Sequence, residues 1–187
     1  MAHLRSMPEN GTFLDILKTH TGLMFPWLDF EQALLRGPSP LSEGEGEREL
    51  LVAYVSGLNT CSYCHRCHTF VAAEYGFPED LPARLIEDLD TAEIEDQLKA
   101  AFRFATKLTE SPARMTDGDT AELYDAGWDD GTVFHIIAVI SYPNFVNRLV
   151  GGIGLEANDG PLREIAKMLK TTGYASIKEF VEGEAGN

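Results

Sequence analysis

All three cysteines of this 187-residue chain fall in one short run, Cys61-Ser62-Tyr63-Cys64-His65-Arg66-Cys67-His68. At about 100° per residue on a helix, Cys61, Cys64 and His68 project within about 60° of one another. A free thiol titrates near 8.5, so only about 3% is thiolate at pH 7, and the thiolate is the reactive species. The unpaired N–H groups and positive dipole end of a helix N-terminus favour that anion. His68 stands one turn beyond Cys64, placed to take or relay its proton. Glu49, on the preceding helix, is placed to orient and charge the imidazole, as a carboxylate does in a triad. Lowering a thiol pKa by about two units raises its thiolate fraction roughly 25-fold, at a differential cost of about 2.7 kcal/mol. Two cysteines separated by two residues at a helix start can close a disulfide with little backbone movement. One sulfur can become a sulfenic acid and the other resolve it. The chemistry expected here is therefore that of a redox-active thiol pair.

Metal binding is the competing chemistry, because Cys61, Cys64, Cys67 and His68 are all soft ligands. Four ligands on one short helix do not easily wrap a tetrahedral ion, and no second cysteine pair exists to complete a structural zinc site or an iron–sulfur cluster. No cofactor or metal is expected. Cys67, about 60° further round, reads as a small buried hydrophobe. His135 reads as a hydrogen-bonded core histidine and His65 as exposed, while His3 and His20 belong to no constellation. Tyr63 either donates a hydrogen bond near the thiols or packs. Asn144, Asn147 and Arg148 either satisfy carbonyls freed by Pro143 or line a pocket wall.

These residues need helices to hold them, and the pattern supplies them. Residues 11–36 read as two short helices broken near Pro26, stopped by Gly37-Pro38-Ser39-Pro40. Ser42 and Glu45 have capping-box spacing for a helix through Glu49, Ala53 and Leu58. Gly57-Leu58-Asn59-Thr60 ends or kinks it, and Asn59 and Thr60 are the expected N-caps of a helix from Cys61 to Gly76. A short helix follows over Pro82–Leu89, then a long amphipathic one over Thr91–Glu110. After a loop at Ser111–Arg114, Thr116 and Asp119 cap a helix ending at Gly127. Asp129 or Asp130 caps an apolar helix over Val133–Val150, with a kink at Pro143, ended by Gly151, Gly152 and Gly154. The tail over Leu162–Val181 reads as one half-charged surface helix. No segment alternates as a strand does, so the fold class is all-α. The expected organisation is a single domain, with N-terminal helices over 12–40, a redox core over 41–110 and C-terminal helices over 111–187.

Composition narrows the partners. The net charge is −15 and the isoelectric point about 4.6, a field that repels nucleic acid and anionic membranes. Clustered rather than scattered cysteines, no apolar leader and no uninterrupted membrane-length apolar run point to a reducing, cytoplasmic setting.

The order Glu49, eleven residues, Cys61-x-x-Cys64, three residues, His68 resembles the alkylhydroperoxidase D-like branch of the carboxymuconolactone decarboxylase superfamily. Arg48-Glu49-Leu50, Tyr54-Val55-Ser56-Gly57-Leu58-Asn59, Phe102-x-Phe104-Ala105-x-Lys107-Leu108-Thr109 and Ala126-Gly127-Trp128 add to the likeness. With Asn144-Phe145-Val146-Asn147-Arg148-Leu149 they point to its peroxidase-related subgroup, over roughly residues 12–157. The resemblance implies an all-α alkylhydroperoxidase D-like bundle assembling into homo-oligomers, often trimers or hexamers. It implies reduction of hydrogen peroxide or organic hydroperoxides, with Cys64 forming the sulfenic acid, Cys61 as proton donor and resolving partner, and Glu49 and His68 as the proton relay. The implied reductant is a dithiol or a lipoyl-bearing adaptor. Tyr63 departs from the family's well-known peroxidase, which has histidine between its cysteines. Decarboxylase members lack the pair. The alternative function is a dithiol oxidoreductase or redox sensor that exchanges disulfides with a protein partner.

Overall fold

A computed structural model of the chain describes residues 3–8, 10–39, 41 and 45–185. The described residues form ten α-helices and no strand, in agreement with the all-α reading. The helices are α1 (Phe13–Thr19), α2 (Thr21–Arg36), α3 (Gly46–Leu58), α4 (Ser62–Glu74), α5 (Leu81–Glu87), α6 (Asp96–Glu110), α7 (Asp117–Asp125), α8 (Asp130–Ile153), α9 (Asp159–Thr172) and α10 (Ala175–Ala185).

The centre of the structure is α3. From Gly46 to Ser56 almost every residue is buried, including the charged Arg48 and Glu49. A helix buried on all sides must be covered by others. The covering elements are α4, α5, α6 and α8, while α9 packs on the outer side of α4. The second core helix is α8, capped by the Asp129 carboxylate on the Thr132 amide at 2.8 Å. By length and composition α8 could cross a membrane, and half of its most apolar window is buried inside this protein. Fully buried Phe102, Leu123, Ile136 and Ile140 each contribute about 1.5–3 kcal/mol of burial.

The turn between α3 and α4 sets the position of the thiols. The Cys61 amide bonds to the Ser56 carbonyl and the Thr60 amide to that of Gly57, both at 2.9 Å. These are the paired bonds of a Schellman motif, which places Thr60 in the left-handed conformation at φ 55°. The expected N-caps are therefore corrected: Cys61 itself is the N-cap of α4, and Asn59 turns its side chain to α8. Gly57 is required by packing, since a Cβ there would meet Ile86 Cδ1 at 2.4 Å and His65 Nδ1 at 2.9 Å.

Other boundaries differ for physical reasons. The N-terminal break falls at His20 rather than Pro26. Pro26 lies one turn into α2, where a missing N–H costs a single helical bond. Residues 91–95 are not helical, because the Asp88 carboxylate accepts the Asp90 and Thr91 amides in a turn and α6 starts only after Glu95. The helix α8 continues through Pro143. The tail is two helices, not one surface helix. Gly173 at φ +67° breaks it, a backbone angle that glycine alone adopts easily. Leu162, Ala166, Leu169, Tyr174 and Val181 from this tail are buried. Ser42 of the expected capping box lies outside the described residues.

Left-handed backbone costs a non-glycine residue about 1–2 kcal/mol. Thr60→Gly is therefore expected to stabilise the fold by about 0.5–1 kcal/mol after the added freedom of the unfolded chain is discounted. The measurement is a higher urea midpoint at unchanged slope; an unchanged or lower midpoint contradicts the assignment.

Candidate redox site

Helix α3 carries Glu49 in its first turn, with no exposed surface. The last turn of α2 brings Arg36 Nη1 to 2.5 Å from Glu49 Oε1. From α4, His68 Nδ1 reaches Oε2 at 2.6 Å. The Tyr174 hydroxyl, between α9 and α10, donates to Oε1 at 2.9 Å. The Arg36 guanidinium lies 4.8 Å from the centre of the Tyr174 ring. Burial pushes the Glu49 carboxyl up, but the His68 hydrogen bond and the charges of His68 and Arg36 outweigh it, and the group is held below its ordinary 4.5. An ionised Glu49 accepts the Nδ1–H of His68, which leaves Nε2 as the ring nitrogen free to exchange a proton.

The two thiols are unlike. Cys61 is half-buried at the start of α4, whereas Cys64 is buried. The Cys61 thiol is pulled down to about 6, first by a hydrogen bond from the Cys64 thiol; burial opposes this, and the Cys64 and Tyr63 amides and the His68 charge assist. Cys64 is pushed well up, by that same hydrogen bond, by burial and by the charge on Cys61, with only the Asn147 amide side chain working against them. The two thiols are thus driven in opposite directions, and Cys61, the sulfur at the helix N-terminus, is the one favoured as thiolate. Asn147 is itself braced: its Nδ2 donates to Ser56 Oγ at 3.0 Å, and its Oδ1 accepts from Asn59 Nδ2 at 2.9 Å.

Cys64 and His68 open on an apolar cavity of about 370 Å³, walled by α1, α2, α4, α8, α9 and α10. That volume is in the range of small-molecule pockets. Cys67 is also on the wall, its thiol pushed up by burial, as is Tyr63, which packs on Phe13 with ring centres 6.4 Å apart. A second carboxyl, Glu31 of α2, shares the wall. It is 3% exposed and accepts the Tyr142 hydroxyl. Burial pushes Glu31 well above 4.5; the Tyr142 hydrogen bond offsets this only in part, and the Glu49 charge adds to it.

Of the residues singled out from the sequence, Glu49, Cys61, Cys64 and His68 come together. His65 does not point outward as expected. It is half-buried and donates Nδ1–H to the Ala53 carbonyl at 2.9 Å, tying α4 to α3. His135 is satisfied, with Nε2 3.1 Å from the Leu34 carbonyl and Nδ1 3.1 Å from Ser39 Oγ. Asn144 donates to the Ile140 carbonyl at 3.1 Å, and neither it nor Arg148 lines the cavity. Among the described residues no three His, Cys, Asp or Glu side chains converge as a metal site. Sequence reasoning missed Arg36, Glu31, Asn147's bond to Cys64, and Tyr174. One signal was available: Met24, Leu28, Glu31 and Leu35 share a helical stripe, so Glu31 lies on the buried face of α2.

Alkylation of reduced protein by iodoacetamide is expected to rise with pH at Cys61 with a midpoint near 6, while Cys64 stays slow until far more alkaline pH. Equal midpoints by peptide mass spectrometry would contradict the asymmetry. Glu49→Gln removes the buried partner of Arg36, which keeps Glu45 Oε2 at 3.4 Å from its Nε, and is expected to cost about 3 kcal/mol at pH 7, against about 1–1.5 kcal/mol for Tyr174→Phe, both read by urea unfolding. Because the folded pKa of Glu49 is depressed, its contribution is complete above about pH 4.5 and fades as pH falls through the folded value. The gap between wild type and Glu49→Gln should narrow in that window.

No family model and no curated protein matches the chain. Solved structures do. An uncharacterized peroxidase-related protein from Silicibacter sp. TM1040 superposes with a TM-score of 0.72 at 23% identity, over 79% of this chain and 76% of that one. An alkylhydroperoxidase AhpD core, an uncharacterized peroxidase-related protein from Ralstonia eutropha JMP134, gives 0.71 at 23% identity over the same shares. At this identity the likeness speaks for architecture, and this chain has the all-α fold of the alkylhydroperoxidase AhpD core and peroxidase-related structures.

Proposed function

We propose that the chain is a thiol-dependent peroxidase that reduces hydrogen peroxide or organic hydroperoxides through Cys61 and Cys64. The observation that carries the reading is the position of Cys64: on the wall of an apolar cavity, hydrogen-bonded to a Cys61 thiolate. Moving the shared proton from Cys64 to Cys61 leaves the attacking thiolate where a peroxide binds. Cys64 sulfur takes the distal peroxide oxygen and becomes a sulfenic acid, and the remainder leaves as the alcohol or water. Cys61 then attacks that sulfur, expelling the oxygen as water and closing the disulfide. A dithiol or lipoyl-type reductant returns both thiols. Glu49 holds His68 in the orientation and tautomer that let its Nε2 pass protons at the site. The names of the two fold neighbours are in keeping with this reading. A homo-oligomeric, cytoplasmic enzyme belongs to the same proposal.

One observation favours a second reading. The Cys61 thiolate is half-exposed, accessible to a protein disulfide, as a dithiol oxidoreductase or redox sensor requires.

Reduced protein with dithiothreitol is expected to consume cumene hydroperoxide or hydrogen peroxide, and Cys64→Ser to abolish it. Cys61→Ser should accumulate a sulfenic acid on Cys64, trapped by dimedone and located by mass spectrometry. Turnover that survives Cys64→Ser sinks the peroxidase reading. Slow oxidation by peroxides with fast exchange against a protein disulfide replaces it with the second.

A further inference from the structure

We propose that Glu31 is the proton donor to the alkoxide released when Cys64 cleaves a hydroperoxide in the cavity, an inference that rests on the peroxidase reading. When Cys64 sulfur attacks, an S–O bond forms and the O–O bond breaks. Sulfur is oxidised, the peroxide is reduced, and the distal oxygen keeps its hydrogen as the sulfenic acid. The electron pair of the O–O bond goes to the proximal oxygen, which departs as an alkoxide unless it is protonated.

The cavity cannot hold that anion. Its described lining is almost wholly apolar and contains no lysine or arginine, and an unpaired charge in such a medium is strongly disfavoured. A proton must reach it from the wall. Cys61 is not among the lining residues, and His68, which is, has its Nδ1 tied to Glu49 at 2.6 Å and is the group assigned above to the thiols. Glu31 lines the cavity, 3% exposed, at the end of a hydrogen bond from Tyr142.

The two buried carboxyls are set apart by their surroundings. Glu49 has Arg36, His68 and Tyr174 and is held ionised. Glu31, among the described residues, accepts the Tyr142 hydroxyl and faces the Glu49 charge, and burial pushes its carboxyl well above the ordinary 4.5, toward the protonated form. Neighbouring acids driven in opposite directions are the arrangement that divides acid from base work. After the transfer Glu31 is a carboxylate, and water entering as the alcohol leaves restores its proton.

The test compares two oxidants that differ in leaving group. Cumene hydroperoxide releases an alkoxide that needs a proton, whereas perbenzoic acid releases a carboxylate, stable as an anion. Rates of Cys64 oxidation are measured by rapid quench and mass spectrometry for wild type and Glu31→Gln. Glutamine can still accept the Tyr142 hydrogen bond but gives no proton. The expected result is a loss of about 100-fold or more with cumene hydroperoxide and a far smaller one with perbenzoic acid. Equal losses with both oxidants mean that Glu31 only supports the fold, and no loss with either means that another group supplies the proton; both overturn the inference and leave the peroxidase reading standing. A wild-type Cys64 that neither oxidant reaches overturns both together.

Discussion

A carboxylate with no access to water organises this protein. Taking Glu49 into the interior is expensive, and the cost is met only because Arg36, His68 and Tyr174 arrive from three different parts of the chain. That one requirement ties α2, α4 and the α9–α10 junction to the first turn of α3. The same contacts orient His68 on the cavity wall that also carries Cys64.

The supporting contacts follow from it. Gln32 on α2 accepts the Tyr174 and Ala175 amides at 2.7 and 3.0 Å, which fixes the Gly173 turn and drops Tyr174 onto Glu49. Arg48 donates to the carbonyls of Leu34 and Gly37 at 3.0 and 2.9 Å, which anchors the end of α2 and so Arg36. On the other side of Cys64, the Asn59, Asn147 and Ser56 side chains join the α3 end to α8. Cys64 sits between a charged cluster and a neutral amide cluster, facing an apolar cavity. Its thiol is therefore pushed upward while that of Cys61 is pulled down.

Much of this was legible from residue order. The Cys61, Cys64 and His68 face follows from helical periodicity, and Glu49 from its place on the preceding helix. The Thr116–Asp119 cap and the Gly127 stop are local signals, settled by hydrogen bonds within a few residues; of Asp129 and Asp130 it is Asp129 that caps α8, and of Gly151, Gly152 and Gly154 only Gly154 ends it, the other two lying inside the helix. The errors lie where distant contacts override local preference. Asn59 is a good N-cap by type, but Asn144 and Asn147 compete for its amide. His65 points away from Cys64 on the helical wheel, yet that direction faces the Ala53 carbonyl. Pro26 is tolerated inside α2 because only one bond is forfeited.

By itself the sequence determined an all-α chain with a thiol pair at a helix start and a histidine on the same face, since period and capping are properties of neighbouring residues. Tertiary structure decided the rest: that the two thiols are driven in opposite directions, that the Glu31 and Glu49 carboxyls are as well, and that Tyr174, more than a hundred residues from the cysteines, closes on Glu49. These depend on burial and on opposed charges from remote helices. Desolvation and Coulomb interaction act through space, and no local spacing encodes them.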